Sequence, residues 1–162
     1  MISLLHLLVL TLHNLNRWLV LGVGLCAVAW VMYGWLGKRP WTPQHTAWIE
    51  RFTRVANLQV LLGVTLYLLP GAFIQAILQS AAWALIMKDR LLRFFTLEHP
   101  STMLIAVVLA NIAFSVAKRT TNERVRFARI SILLILAMLL ILAGIPWPGS
   151  SYTRPLLRWP FS

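Results

Sequence analysis

Residues 18–36 read WLVLGVGLCAVAWVMYGWL, nineteen positions without a charged side chain. At 1.5 Å per residue that run makes about 28 Å of helix, enough to cross the hydrocarbon core of a bilayer. Lipid offers the backbone no hydrogen-bond partners, so a segment of this kind must satisfy its own N–H and C=O groups as a helix. The fold class follows: an all-α integral membrane protein.

The pattern extends in both directions. Upstream, apolar residues continue to about position 4, interrupted by a polar stripe of His13, Asn14, Asn16 and Arg17, so the first span is expected over about 4–36. Downstream, Lys38-Arg39-Pro40 stops the helix, and Thr42-Pro43 pairs an N-cap residue with proline at the first helical position. A second span is expected over about 46–69, with Glu50, Arg51 and Arg54 on its entry turns and Pro70-Gly71 after it. Residues 72–97 alternate apolar runs with Lys88, Asp89, Arg90 and Arg93, a pattern that predicts an amphipathic segment lying in the interface. Pro100 opens a third span over about 100–117, a fourth covers about 128–145, and a proline-rich extended tail fills 146–162. The expectation is one transmembrane domain over 1–162, a four-helix bundle with an interfacial segment between spans two and three.

Composition narrows the function. Apolar residues make up 59% of the 162 positions, and 15 Lys and Arg stand against 4 acids for a net charge of +11. The cations cluster between apolar runs and no nucleic-acid-binding motif accompanies them, so they read as topological charge and as contacts to anionic lipids. Nine fall in the first and third connections against six elsewhere. That bias predicts both termini outside, in the periplasm of a bacterial inner membrane. No cleavable leader is evident, so the chain is expected to keep its first residue. Cys26 is the sole cysteine, which excludes an intramolecular disulfide and covalent haem attachment. No nucleophile–base pair, carboxylate dyad or phosphate-cradling loop is present; any enzymatic part is at most that of a redox subunit.

His13 and His99 carry the strongest chemical signal. They precede the clean apolar stretches of spans one and three, which run in the same direction, so both imidazoles should share one level near the outer face. Two imidazoles from facing helices suit a metal ion or a haem iron. They equally suit hydrogen bonds to headgroups or backbone carbonyls. Arg17, one helical turn from His13, could meet a haem propionate, a quinone carbonyl or a lipid phosphate. Glu98 is placed to orient an imidazole or to pair with an arginine. Asn57, Gln59 and Asn111 read as interhelical hydrogen-bonding amides.

Several strings together resemble a family of small four-helix bacterial membrane proteins described as cytochrome b-like. They are HNLNRW at 13–18, LQVLLGVTLY at 58–67, MKD at 87–89 through EHP at 98–100, IPWP at 145–148 and RPL at 154–156, in the family's order and over most of the chain. The resemblance implies a b-type haem held by His13 and His99. Family members carry further histidines where this chain has Asn57 and the Phe127–Arg129 turn, so at most one haem is implied. Two functions compete. One is an electron-transfer subunit with haem b, with or without quinone. The other is a cofactor-free accessory subunit of a larger respiratory or photosynthetic membrane complex.

Overall fold

The computed structural model describes residues 4–69 and 82–149. Its described elements are all helical: α1 Leu4–Leu36, α2 Pro43–Leu68, the short α3 Ala82–Lys88, α4 Arg90–Arg119 and α5 Glu123–Gly144. The polar stripe of α1 does not break it, and its 33 residues make about 50 Å of continuous helix. It stops in a Schellman turn. Arg39 N–H reaches the Gly34 carbonyl at 2.9 Å and Lys38 N–H that of Trp35 at 3.1 Å, with Lys38 at φ 51° in the left-handed position. Thr42 and Pro43 then start α2 as their order predicts. The cap is reciprocal: His45 N–H donates to the Thr42 carbonyl, and Thr42 N–H donates to the His45 ring Nδ1, each at 3.0 Å.

The four long helices pack in a ring, α1 on α2, α2 on α4, α4 on α5 and α5 on α1. Neighbours are antiparallel. Asn16 near the start of α1 meets Val55 and Gln59 toward the far end of α2, whereas Gly34 near the end of α1 lies against His45. The connections at 37–42 and 120–122 therefore share one end, where Trp41 N–H donates to Glu123 and the Trp41 indole lies 4.8 Å from the Phe127 ring. α1 and α4 run in the same direction on opposite corners. Small residues let the backbones approach: Ala106, Ala110, Ala113 and Ala117 line the buried side of α4, with Gly24, Ala27 and Gly34 on α1. Outward, Leu19, Leu25, Leu104, Ile105, Ile132 and Leu139 are exposed, a surface suited to lipid rather than water.

Three helices, α1, α4 and α5, are long and apolar enough to cross a membrane. The second expected span is not among them, because Glu50, Arg51, Arg54, Asn57 and Gln59 dilute α2. The expected interfacial segment also differs. Residues 72–81 lie outside the described residues, 82–88 form α3, and 90–97 are the first turns of α4 rather than a separate surface helix. Of the expected tail, 146–149 is described: the Trp147 indole N–H turns back to the Leu142 carbonyl at 2.8 Å, and residues 150–162 lie outside the described residues.

Two measurements probe this packing. A Cβ on Gly34 would sit 2.5 Å from His45 Nε2 and 2.8 Å from a Phe127 ring carbon, whereas one on Gly22 meets nothing within 4 Å. Gly34→Ala is expected to destabilise the detergent-solubilised protein by about 1–3 kcal/mol through overpacking, and Gly22→Ala to leave it unchanged or slightly more stable, read by thermal unfolding. His45 supplies the second. Burial lowers its pKa below the ordinary 6.5, so the unfolded chain takes up a proton before the folded ring does. Stability should hold above pH 6.5 and decline as pH falls below it. His45→Gln, which keeps an acceptor at the capping-box position, should weaken that decline.

Candidate functional site

The site starts from two backbone defects. Pro100 lacks the N–H that would bond the Thr96 carbonyl within α4. The helix widens there into a π turn over Phe94–Glu98, and the Tyr67 hydroxyl of α2 donates to the Thr96 carbonyl at 3.2 Å in place of the missing group. His99 follows this turn directly, its own N–H bonded back to the Phe94 carbonyl. On the other side, α5 ends at Gly144, whose carbonyl has no continuing helix to bond. The His99 ring takes it: Nδ1–H donates to the Gly144 oxygen at 2.8 Å.

That contact decides a tautomer. A carbonyl accepts and never donates, so His99 carries its proton on Nδ1 and presents an Nε2 lone pair. A Cβ on Gly144 would come 2.5 Å from the Met103 methyl, so the end of α5 packs closely on α4 here.

His13 arrives from the opposite corner of the bundle. The two imidazole centroids lie 6.4 Å apart with an interplanar angle of 68°. Gln59 fixes the α1 backbone at this level, its Nε2 donating to the His13 carbonyl at 3.0 Å while its Oε1 accepts from Asn16 at 2.8 Å. Gly63 of α2 faces the His13 ring, with room for a Cβ at 3.4 Å from Cε1 and little more. The His13 Nδ1 is buried and has no hydrogen-bond partner among the described residues. Buried polar atoms are normally paired, so this ring nitrogen beside a second imidazole is an exception. Phe94 and Phe95 close the far side of His99, with ring centroids 5.9 and 6.3 Å from it.

The expected pair thus meets; other candidates are disposed differently. Arg17 Nη2 donates to Asn14 at 3.0 Å, its guanidinium lies 5.4 Å from the Trp18 ring centroid, and its charge is within electrostatic reach of both imidazoles. Glu98 does not orient an imidazole: it accepts from Arg93 at 2.7 Å, and the Gly144 carbonyl does the orienting. Asn57 and Asn111 form the expected interhelical amide pair at 2.9 Å. No third His, Cys, Asp or Glu joins the histidines into a metal-binding cluster among the described residues. Gln59 is the interhelical amide the sequence suggests, whereas Gly144, Gly63 and Tyr67 escaped sequence reading, because the glycines act through a carbonyl or a missing side chain and Tyr67 bonds a backbone carbonyl on another helix.

Chemically, two neutral imidazoles are nitrogen donors for one metal ion. A first-row metal bonds imidazole nitrogen at about 2 Å, which places the centroids of two rings on opposite sides of one ion about 6 Å apart. Comparison of the chain with protein-family models, with curated proteins and with solved structures finds no match.

Tyr67→Phe tests how the site is held. It removes the donor to Thr96 and should destabilise the protein by about 1–3 kcal/mol, the penalty of an unpaired buried carbonyl. Thermal unfolding of the variant beside wild type reads this directly.

Proposed function

We propose that the chain is a membrane electron-transfer subunit that holds one b-type haem between His13 and His99. The observation that carries the reading is the histidine pair itself: 6.4 Å between centroids, one ring with its Nε2 free for ligation and the other with a buried, unpartnered nitrogen. The resemblance to cytochrome b-like membrane proteins supports it.

The residues divide the work. His99 would offer Nε2 to the iron, and the Gly144 carbonyl on its Nδ1–H holds the ring orientation and raises its basicity. His13 offers the second nitrogen, on a backbone pinned by Gln59. Phe94 and Phe95 keep the surroundings apolar, and Arg17 provides a cation for an acidic edge of the ligand. A haem held there would supply one-electron iron chemistry, tuned by its protein ligands and by burial. In this reading α2 completes the bundle as a fourth crossing, with its charged residues Glu50, Arg51 and Arg54 in the half toward the connection end. The excess of basic residues in the two connections favours that end in the cytoplasm of a bacterial cell and both termini in the periplasm. The electron partner is quinone or a periplasmic carrier.

An accessory subunit without a cofactor is the second reading. It is favoured by the first turns of α1, where Leu4, Leu5, Leu8 and Leu12 are all exposed and suit contact with other membrane subunits.

An absorption spectrum separates the two. Protein purified from haem-replete membranes should show a Soret band at about one haem per chain, with two-imidazole low-spin character. The band should disappear in His13→Ala and His99→Ala while helicity by circular dichroism is kept. Colourless wild-type protein that co-purifies with larger subunits sinks the haem reading and leaves the accessory one.

A further inference from the structure

At the end of the bundle remote from the histidine pair, a cavity of about 300 Å³ opens between the last turns of α1 and the start of α2. Trp30 and Tyr33 of α1, Arg39 of the connection, and Thr42, Gln44 and His45 line it. Three of its polar groups are donors in want of an acceptor. The His45 Nδ1 accepts from Thr42 N–H, so the neutral ring carries its proton on Nε2, which has no acceptor among the described residues. The Trp30 indole N–H is buried and also without an acceptor. The Arg39 guanidinium is exposed, lies 4.2 Å from the Tyr33 ring centroid, and has no acidic partner among the described residues.

The protein cannot supply the missing acceptor from its own acids. It has four, and each is committed elsewhere: Glu50 to Arg54, Glu98 to Arg93, Asp89 to the Leu92 N–H and Glu123 to the Trp41 N–H. Nine Lys and Arg stand at this end. Arg39, the one cation in the cavity lining, suits an acceptor from outside that carries negative charge. Its surroundings say where from. Tyr33 and Leu36 beside the cavity are exposed, on the last turn of a helix long and apolar enough to cross a membrane, so the cavity lies at the lipid–water boundary.

We propose that this cavity binds the phosphate of an anionic phospholipid headgroup. Arg39 is the charge partner, because guanidinium matches phosphate oxygens with paired hydrogen bonds, and the His45 and Trp30 ring N–H groups are the neutral donors. The aromatic wall of Trp30 and Tyr33 takes the glycerol and upper acyl region, a contact that free phosphate would leave unused. The proposal requires a membrane around the helices and nothing of the haem site.

The test uses the full chain in detergent and native mass spectrometry, titrating phosphatidylglycerol, phosphatidylcholine or inorganic phosphate. Wild type should retain one phosphatidylglycerol per chain in preference to phosphatidylcholine. Arg39→Gln should weaken that binding about tenfold or more, the weight of one charge-assisted hydrogen bond. Trp30→Phe, which keeps a ring and deletes the donor, should weaken it severalfold. Arg124→Gln, at the same end but outside the cavity, should bind as wild type does. Equal losses in Arg39→Gln and Arg124→Gln would show diffuse attraction and overturn the site. So would equal binding of the two lipids. Full displacement of phosphatidylglycerol by inorganic phosphate at matched concentration would assign the cavity to free phosphate and overturn the lipid assignment.

Discussion

A helix inside lipid must satisfy every backbone polar group from within the protein, and the histidine site forms where two helices fail to do so alone. Pro100 removes one donor from α4, and the end of α5 strands the Gly144 carbonyl. The bundle repairs both with side chains from neighbouring helices, Tyr67 for Thr96 and His99 for Gly144. The second repair has a chemical consequence, because it chooses the His99 tautomer and leaves Nε2 as a donor. Ring orientation and tautomer are set by the same hydrogen bond.

Packing then decides which residues share that level. Alanines along α4 and glycines along α1 keep the helices close, so side chains from opposite corners can meet in the middle. Gln59 adds register between α1 and α2, bonding Asn16 with one end of its amide and the His13 carbonyl with the other. Buried amides in a membrane are individually modest in energy, of order 0.6 kcal/mol. Their value here is positional: a one-residue slip of α1 on α2 would carry His13 away from His99.

The two ends of the bundle are chemically unlike. One holds two imidazoles among aromatic rings, with Arg17 in electrostatic reach. The other carries nine basic residues and two acids, Glu50 and Glu123, with Arg39 lining a cavity there. Such asymmetry suits a chain oriented in a membrane.

Local chemistry made much of this readable in advance. The span at 18–36, the stop at Lys38, the Thr42-Pro43 start and the shared level of His13 and His99 all follow from hydrophobic runs, caps and helix direction, which are properties of neighbouring residues. The extent of α4 does not follow. Its charges at Arg90 and Arg93 and its proline at 100 read as a boundary, yet the helix runs through them, because Tyr67 on another helix and a π turn absorb the proline. Nor could α2 be judged by its apolar stretch alone, since its polar residues find partners on α1 and α4. The alternation of apolar segments determined by itself an all-helical chain with membrane-length helices. Tertiary structure alone decided which ring nitrogen is free and which carbonyl holds the ring, since those depend on helix ends more than forty residues away in sequence.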